Sequence, residues 1–169
     1  MAQSYANRGE AFETVIIRSN MIYDSRGWAQ VEKSHPEIKI SKEIGNRIVG
    51  FKKSKGFVDF FGVCHGRSLA FEAKNTTSRT SFPLRNIKPH QIEILRKWKD
   101  QGAISFFLIN FEKRYEVYLI SIEQVLKWWN DSLKGGRKSI PYEWFKMNCP
   151  LVRRERGVFL DYLKCLNLP

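Results

Sequence analysis

Residues 56–74, GFVDFFGVCHGRSLAFEAK, constrain the fold more than any other part of the chain. Two short runs of aromatic and branched residues flank His65-Gly66, and glycine accepts the positive φ that a tight turn needs. The segment reads as a hairpin, and a two-residue turn there sets Asp59 opposite Glu72. Opposed residues of an antiparallel pair have Cβ atoms about 4.5–5.5 Å apart, and like charges so placed repel. A hard cation between two carboxylates removes that repulsion. Side chains alternate along a strand, so Val58, Phe60, Leu69, Phe71 and Ala73 share a core face, while Asp59, Glu72 and Lys74 share the other. The spacing places Asp59, Glu72 and Lys74 within reach of one metal ion and one phosphate. The competing reading is an ordinary amphipathic hairpin with a solvated Glu-Lys face.

Charge points the same way. The 169 residues carry 29 Lys and Arg against 17 Asp and Glu, a formal charge of +12 in a chain that is 14% aromatic. A folded domain this basic expects a polyanionic partner. One domain spanning 1–169 is expected from this length. Cys64, Cys149 and Cys165 have no metal-site spacing and are odd in number, which favours free thiols in a reducing compartment. The sequence shows no apolar leader, and no apolar run approaches the roughly 20 residues of a membrane span.

Along the chain, Asn7 reads as an N-cap with Glu10 as its capping-box partner. A helix then runs to about residues 18–21, packing through Ala11, Phe12, Val15, Ile16 and Ser19. Glu13 lies beside that stripe, either solvated or facing the site from a second shell. Residues 29–40 read as extended, and Gly45-Asn46 suits a hairpin turn. Residues 38–55 form a projecting basic excursion carrying Lys42, Arg47, Lys52, Lys53 and Lys55. A polar loop, 75–86, follows the acidic hairpin, and its Arg79, Thr80, Ser81 and Arg85 can hold a phosphate backbone. Pro89 opens a helix at its first position and Gly102 closes it. His90 and Gln91 occupy the first turn, where the helix dipole favours anions. Residues 103–110 form a buried strand, 115–120 its hairpin partner, and 122–133 a helix. Ser139-Ile140-Pro141 opens a further helix to about residue 146. The order implies an α/β architecture with a mixed sheet flanked by helices.

Several blocks together resemble the RecU family of Holliday-junction resolvases: NRGEAFE, VDFFGVCHGRSLAFEAKNT, TSFPLRNIKPHQIEIL, QGAISFFLINF, YEVYLI, IPYEWF and a late DYLK. They occur in the family's order across nearly the whole chain. The resemblance implies the restriction-endonuclease-like PD-(D/E)xK fold and a dimeric, Mg²⁺-dependent endonuclease that cuts four-way DNA junctions in recombination and repair, with Mn²⁺ able to substitute. By that resemblance Asp59 and Glu72 are metal ligands, Lys74 is the catalytic lysine, and Gln91 stands at the metal. Residues 38–55 match the stalk that enters the junction's open centre. Branched DNA, a second copy of the chain and recombination proteins are the implied partners, in a cytoplasmic, nucleoid-associated setting. Phe57 departs from the pattern, because the family has Thr two residues before its metal-binding Asp. The chain also begins close to the NRG block, without the longer extension many members carry. Another PD-(D/E)xK nuclease and a non-catalytic junction binder remain as alternatives.

Overall fold

The structure, a computed structural model, describes residues 5–35, 38–45, 47–52, 57–166 and 168. Helix α1 (Tyr5–Ser25) leads into β1 (Ala29–Lys33), and β2 (Ile38–Ile44) and β3 (Arg47–Lys52) follow. The acidic hairpin is β4 (Phe60–Cys64) and β5 (Arg67–Thr76). Then come β6 (Ser81–Pro83), α2 (Pro89–Asp100), β7 (Ile104–Phe111), β8 (Glu116–Ser121), α3 (Ile122–Leu133), β9 (Ser139–Pro141), α4 (Tyr142–Asn148) and β10 (Leu151–Val152).

Six strands form a mixed sheet in the order β1-β4-β5-β7-β8-β10. Only β5 and β7 run parallel, joined through α2, so the helix must lie on one sheet face. The β4–β5 register pairs Phe60 with Phe71 and Cys64 with Arg67 around the His65-Gly66 turn, as the sequence implies. Both turn residues have positive φ, 47° at His65 and 75° at Gly66. Gly62 serves a different need. A Cβ there would overlap the Gln30 carbonyl oxygen and stand 2.7 Å from the Val31 Cα, so β1 can reach β4 only past a glycine.

Both sheet faces are covered, which is why β7 reads as one apolar run instead of alternating. Phe107, Ile109 and Phe111 pack under α2, α3 and α4 with Ile92, Leu95, Val125 and Phe145. Phe106 and Leu108 face α1 and the C-terminal tail with Ile16, Tyr23, Phe71 and Tyr162. The rings of Phe60, Phe71 and Phe106 stack in a row at 5.0 and 4.6 Å. The tail is fastened to α1 by polar bonds. Buried Asp161 accepts two bonds from Arg156 at 2.6 and 2.8 Å and one from the Tyr23 hydroxyl at 3.1 Å.

Several expectations change. Helix α1 begins at Tyr5 and continues to Ser25, so Asn7 lies within it and is not its cap. Its buried stripe is Phe12, Ile16, Ser19, Asn20 and Tyr23, while Ala11 and Val15 are exposed. Val58 joins the core on the α2 side with Ala70 and Phe107, opposite Phe60. Strand β4 starts only at Phe60 and the chain bends at Asp59, so alternation does not carry across that residue. Residues 139–141 form a strand paired with β6, because β6 and β9 each supply the other's missing partner. The polar loop is correspondingly shorter, since Asn75 and Thr76 still belong to β5 and Ser81 opens β6. Strand β10 adds to the β8 edge, with no periodic pattern to announce two residues.

Strands β2 and β3 make a sheet of their own. They pair antiparallel with each other, with an irregularity between Ile40 and Lys42, and among the described residues they join no other sheet. Gly45 turns the hairpin with a φ of 57°. Lys53 and Lys55 lie outside the described residues.

Candidate active site

The site forms where β4, β5 and the start of α2 meet. Glu72 and Lys74 project from β5 toward α2, one pleat apart. Asp59 stands at the bend before β4, where its main-chain oxygen accepts the Ser34 N–H at 2.9 Å. Its Oδ2 accepts the Ala73 N–H at 3.0 Å, which fixes the carboxylate against β5. Lys74 Nζ reaches Glu72 Oε2 at 2.7 Å and Asp59 Oδ2 at 3.4 Å. One ammonium therefore bridges the two carboxylates that the hairpin register brings together.

Burial makes this arrangement costly for charge. Glu72 is 1% exposed. Desolvation, aided by the Asp59 charge and opposed by Lys74, pushes its pKa up to about 8. Burial works against the Lys74 ammonium too, but the two carboxylates outweigh it and hold its pKa above the usual lysine value. A carboxylate withdrawn from water beside a second carboxylate is short of positive charge. Two such hard oxygen donors suit a small divalent cation, so the donor set fits the metal that the sequence expectation names. Among the described residues, no group of three or more His, Cys, Asp or Glu side chains converges on one point.

Gln91 enters from the third position of α2. Its carboxamide N–H₂ donates to Glu72 Oε2, and its oxygen accepts the Lys88 N–H at 3.0 Å. The amide oxygen is thus engaged in closing the helix start, and the amide nitrogen faces Glu72, the acid expected to hold a metal. Pro89 is the first residue of α2, and Ile92 and Leu95 bury the face that presents Gln91 to the sheet.

The other expected residues lie in several different places. Arg85 lines a cavity of about 550 Å³ beside Lys74. Arg79, Thr80 and Ser81 lie outside that cavity, and their main chain is used for fastening. The Arg79 carbonyl accepts the Arg114 Nε–H at 2.6 Å, the Thr80 carbonyl accepts the Tyr142 N–H at 2.9 Å, and Ser81 pairs with Pro141. Lys42 and Arg47 are exposed on the β2–β3 hairpin, and Lys52 ends β3. Glu13 reaches Lys33 on β1 at 2.6 Å rather than the acidic site. His90 is partly exposed in the first turn of α2.

Phe57, at the departure from the family pattern, has structural work. Its ring meets Trp98 of α2 edge-on at 5.3 Å and Phe61 at 6.0 Å. An apolar contact between β4 and α2 thus occupies the position where a hydroxyl was expected.

The sequence model of recombination protein U, RecU, matches residues 7–168. The chain belongs to the RecU family. The chain is 35% identical over 170 residues to the Holliday junction resolvase RecU of Levilactobacillus brevis, covering 97% of this chain and 85% of that one. It is 38% identical over 143 residues to the RecU of Ligilactobacillus salivarius, covering 81% and 67%. A solved structure of Archaeoglobus fulgidus Hjc, a Holliday junction resolvase, resembles it with a TM-score of 0.48 at 12% identity, over 90% of this chain and 98% of that one. No helix among the described residues is long and apolar enough to cross a membrane.

Sequence reasoning overlooked Lys88 and Arg114 of this RecU chain. Lys88 lines the cavity beside Lys74, and its placement before Pro89 was the available signal. Arg114 acts on a loop 35 residues earlier in the chain, a distance that no local pattern encodes.

Proposed function

We propose that this RecU-family chain resolves four-way DNA junctions by divalent-metal-dependent cleavage of phosphodiesters, with Asp59, Glu72 and Lys74 as the catalytic group. The carrying observation is the convergence of two carboxylates and one partly buried lysine, from β5 and the bend before β4, in a RecU-family chain. Asp59 and Glu72 are the residues that would hold the cation, Mg²⁺ or Mn²⁺. When bound, such an ion supplies Lewis-acid polarisation of the phosphate and activation of water.

The chain's own groups do the rest. Gln91 keeps the Glu72 carboxylate in one orientation. Asp59 is held by the Ala73 N–H, so the two acids keep their spacing. Lys74 lines the cavity, where its ammonium can donate to a phosphate oxygen and offset developing negative charge. Lys42 and Arg47 on the hairpin, with Lys52 at its end, supply positive charge for branched DNA. Paired cuts across a symmetric junction call for two sites related by a two-fold axis, hence a homodimer.

The test uses a labelled mobile four-way junction with Mg²⁺, mapping cuts on all four strands beside a linear duplex control. Symmetric nicks near the crossover are expected. Asp59→Asn should lower the rate by roughly 10²-fold or more, the scale for removing one transition-state group. Undiminished cleavage by Asp59→Asn would refute the assignment.

A further inference from the structure

Gly9 has no reason to be glycine that the fold itself supplies. It is the fifth residue of α1, in a helix where glycine is the poorest residue after proline. Its φ is not positive, and an added Cβ would meet no atom of the described residues within 4 Å. Neither backbone strain nor packing therefore excludes a side chain. Gly9 does, however, line the cavity beside Lys74.

That cavity of about 550 Å³ has both polar and apolar walls and is built from separate segments. Lys74 comes from β5, Arg85 from the turn before α2, and Lys88 from the residue preceding α2. Glu112 is the one acidic side chain among its described walls. Thr77 and Ser78 line one side, on a loop that is fastened in place. Ser78 Oγ accepts the N–H groups of Thr80 and Ser81 at 3.3 and 3.2 Å, which leaves its own proton to donate outward. Arg114 holds the Arg79 carbonyl, and its guanidinium stacks 3.6 Å from the Tyr142 ring centre. Three cations and a hydroxyl donor around a space against bare helix backbone describe a seat for a phosphate group.

We propose that this cavity seats a backbone phosphodiester of the bound DNA strand, next to the one that is cleaved, with Arg85 and Lys88 as its cationic walls and Gly9 keeping it open. The inference rests on the junction-cleaving reading of the same site. It makes Gly9, Arg85 and Lys88 positioning residues: they set where the strand lies relative to Lys74.

The experiment measures four-way-junction binding in EDTA over a series of salt concentrations, together with melting of each variant. Gly9→Leu fills the cavity with a good helix former. Its melting temperature should equal or exceed that of the wild type, while junction affinity falls at least about tenfold, as expected for a blocked contact. Arg85→Gln and Lys88→Gln should each weaken binding and reduce the salt slope by about 1, the mark of one lost phosphate contact. A folded Gly9→Leu that binds like the wild type overturns the proposal. If Gly9→Leu melts lower, the glutamine variants decide, and unchanged salt slopes in both overturn it. Absence of cleavage by the wild type in Mg²⁺ would count against the enzymatic reading, and the binding comparison would still stand.

Discussion

Replacing Lys74 by methionine keeps the length of the side chain and removes the ammonium that bridges Glu72 and Asp59. In the metal-free wild type, Glu72 is protonated up to about pH 8, chiefly because it is buried and also because Asp59 is near, with Lys74 opposing both. Below its unfolded value of 4.5 the proton is bound in both states, and Glu72 makes no pH-dependent contribution. Between 4.5 and about 8 the unfolded chain releases that proton and the folded one keeps it, so stability falls as pH rises. Above about pH 8 the wild-type carboxylate ionises beside Lys74 and this decline ends. Lys74→Met has no such escape. Asp59 still repels the second charge, Gln91 offers a single amide donor, and the Glu72 pKa rises further. The variant should keep losing about 1.4 kcal/mol per pH unit where the wild type has levelled off. Over 1.5 pH units above pH 8 the deficit grows by about 2 kcal/mol. For a chain of this size that is roughly 4–8 °C in melting temperature. The assay is urea unfolding in EDTA, followed by tryptophan fluorescence at pH 7 and 9.5. The double variant Glu72→Gln/Lys74→Met should lose the extra pH slope, since glutamine does not titrate. Parallel pH profiles for wild type and Lys74→Met would refute the reasoning, as would a double variant with the slope intact. Both variants should fail to cut a four-way junction.

Three further outcomes are expected. Gly62→Ala drives a methyl group into the β1 backbone at Gln30 and Val31, and should cost about 1–3 kcal/mol in urea unfolding, the usual scale of overpacking. Burial raises the pKa of all three thiols, that of Cys149 to about 12, so at pH 8 a disulfide reagent should react slowly with the native protein and quickly with all three cysteines in urea. Lys42→Ala/Arg47→Ala, both exposed on the β2–β3 hairpin, should weaken junction binding more than duplex binding and lower the salt slope by about 2. Equal losses on the two DNAs would reduce the hairpin to a general electrostatic contact.

The legible parts of the chain were those whose pattern is local. The His65-Gly66 turn and the flanking alternation predicted the β4–β5 register, and with it the meeting of Asp59, Glu72 and Lys74. Pro89 and Gly102 bracketed α2 as helix punctuation does. What escaped was settled by contacts between distant segments. Strands β6 and β9 lie nearly sixty residues apart and are three residues each, too short for periodicity to register. Val58 changed faces because the chain bends at Asp59, and a bend is invisible to a count of two. Gln91 was identified by its motif, but which end of its amide faces Glu72 depends on the Lys88 N–H, a helix-start detail. Arg114 carries no motif at all and is explained only by the loop it holds.

The two acids of the site differ in how they are anchored. Glu72 rides on β5, a strand hydrogen-bonded on both sides at the middle of the sheet. Asp59 stands outside any strand, at the bend before β4, tied by the Ser34 N–H on one side and the Ala73 N–H on the other. One acid is therefore held by the sheet and the other by two main-chain hydrogen bonds. The spacing of the two carboxylates then depends on β1 and β5 together, since Ser34 follows the one and Ala73 belongs to the other.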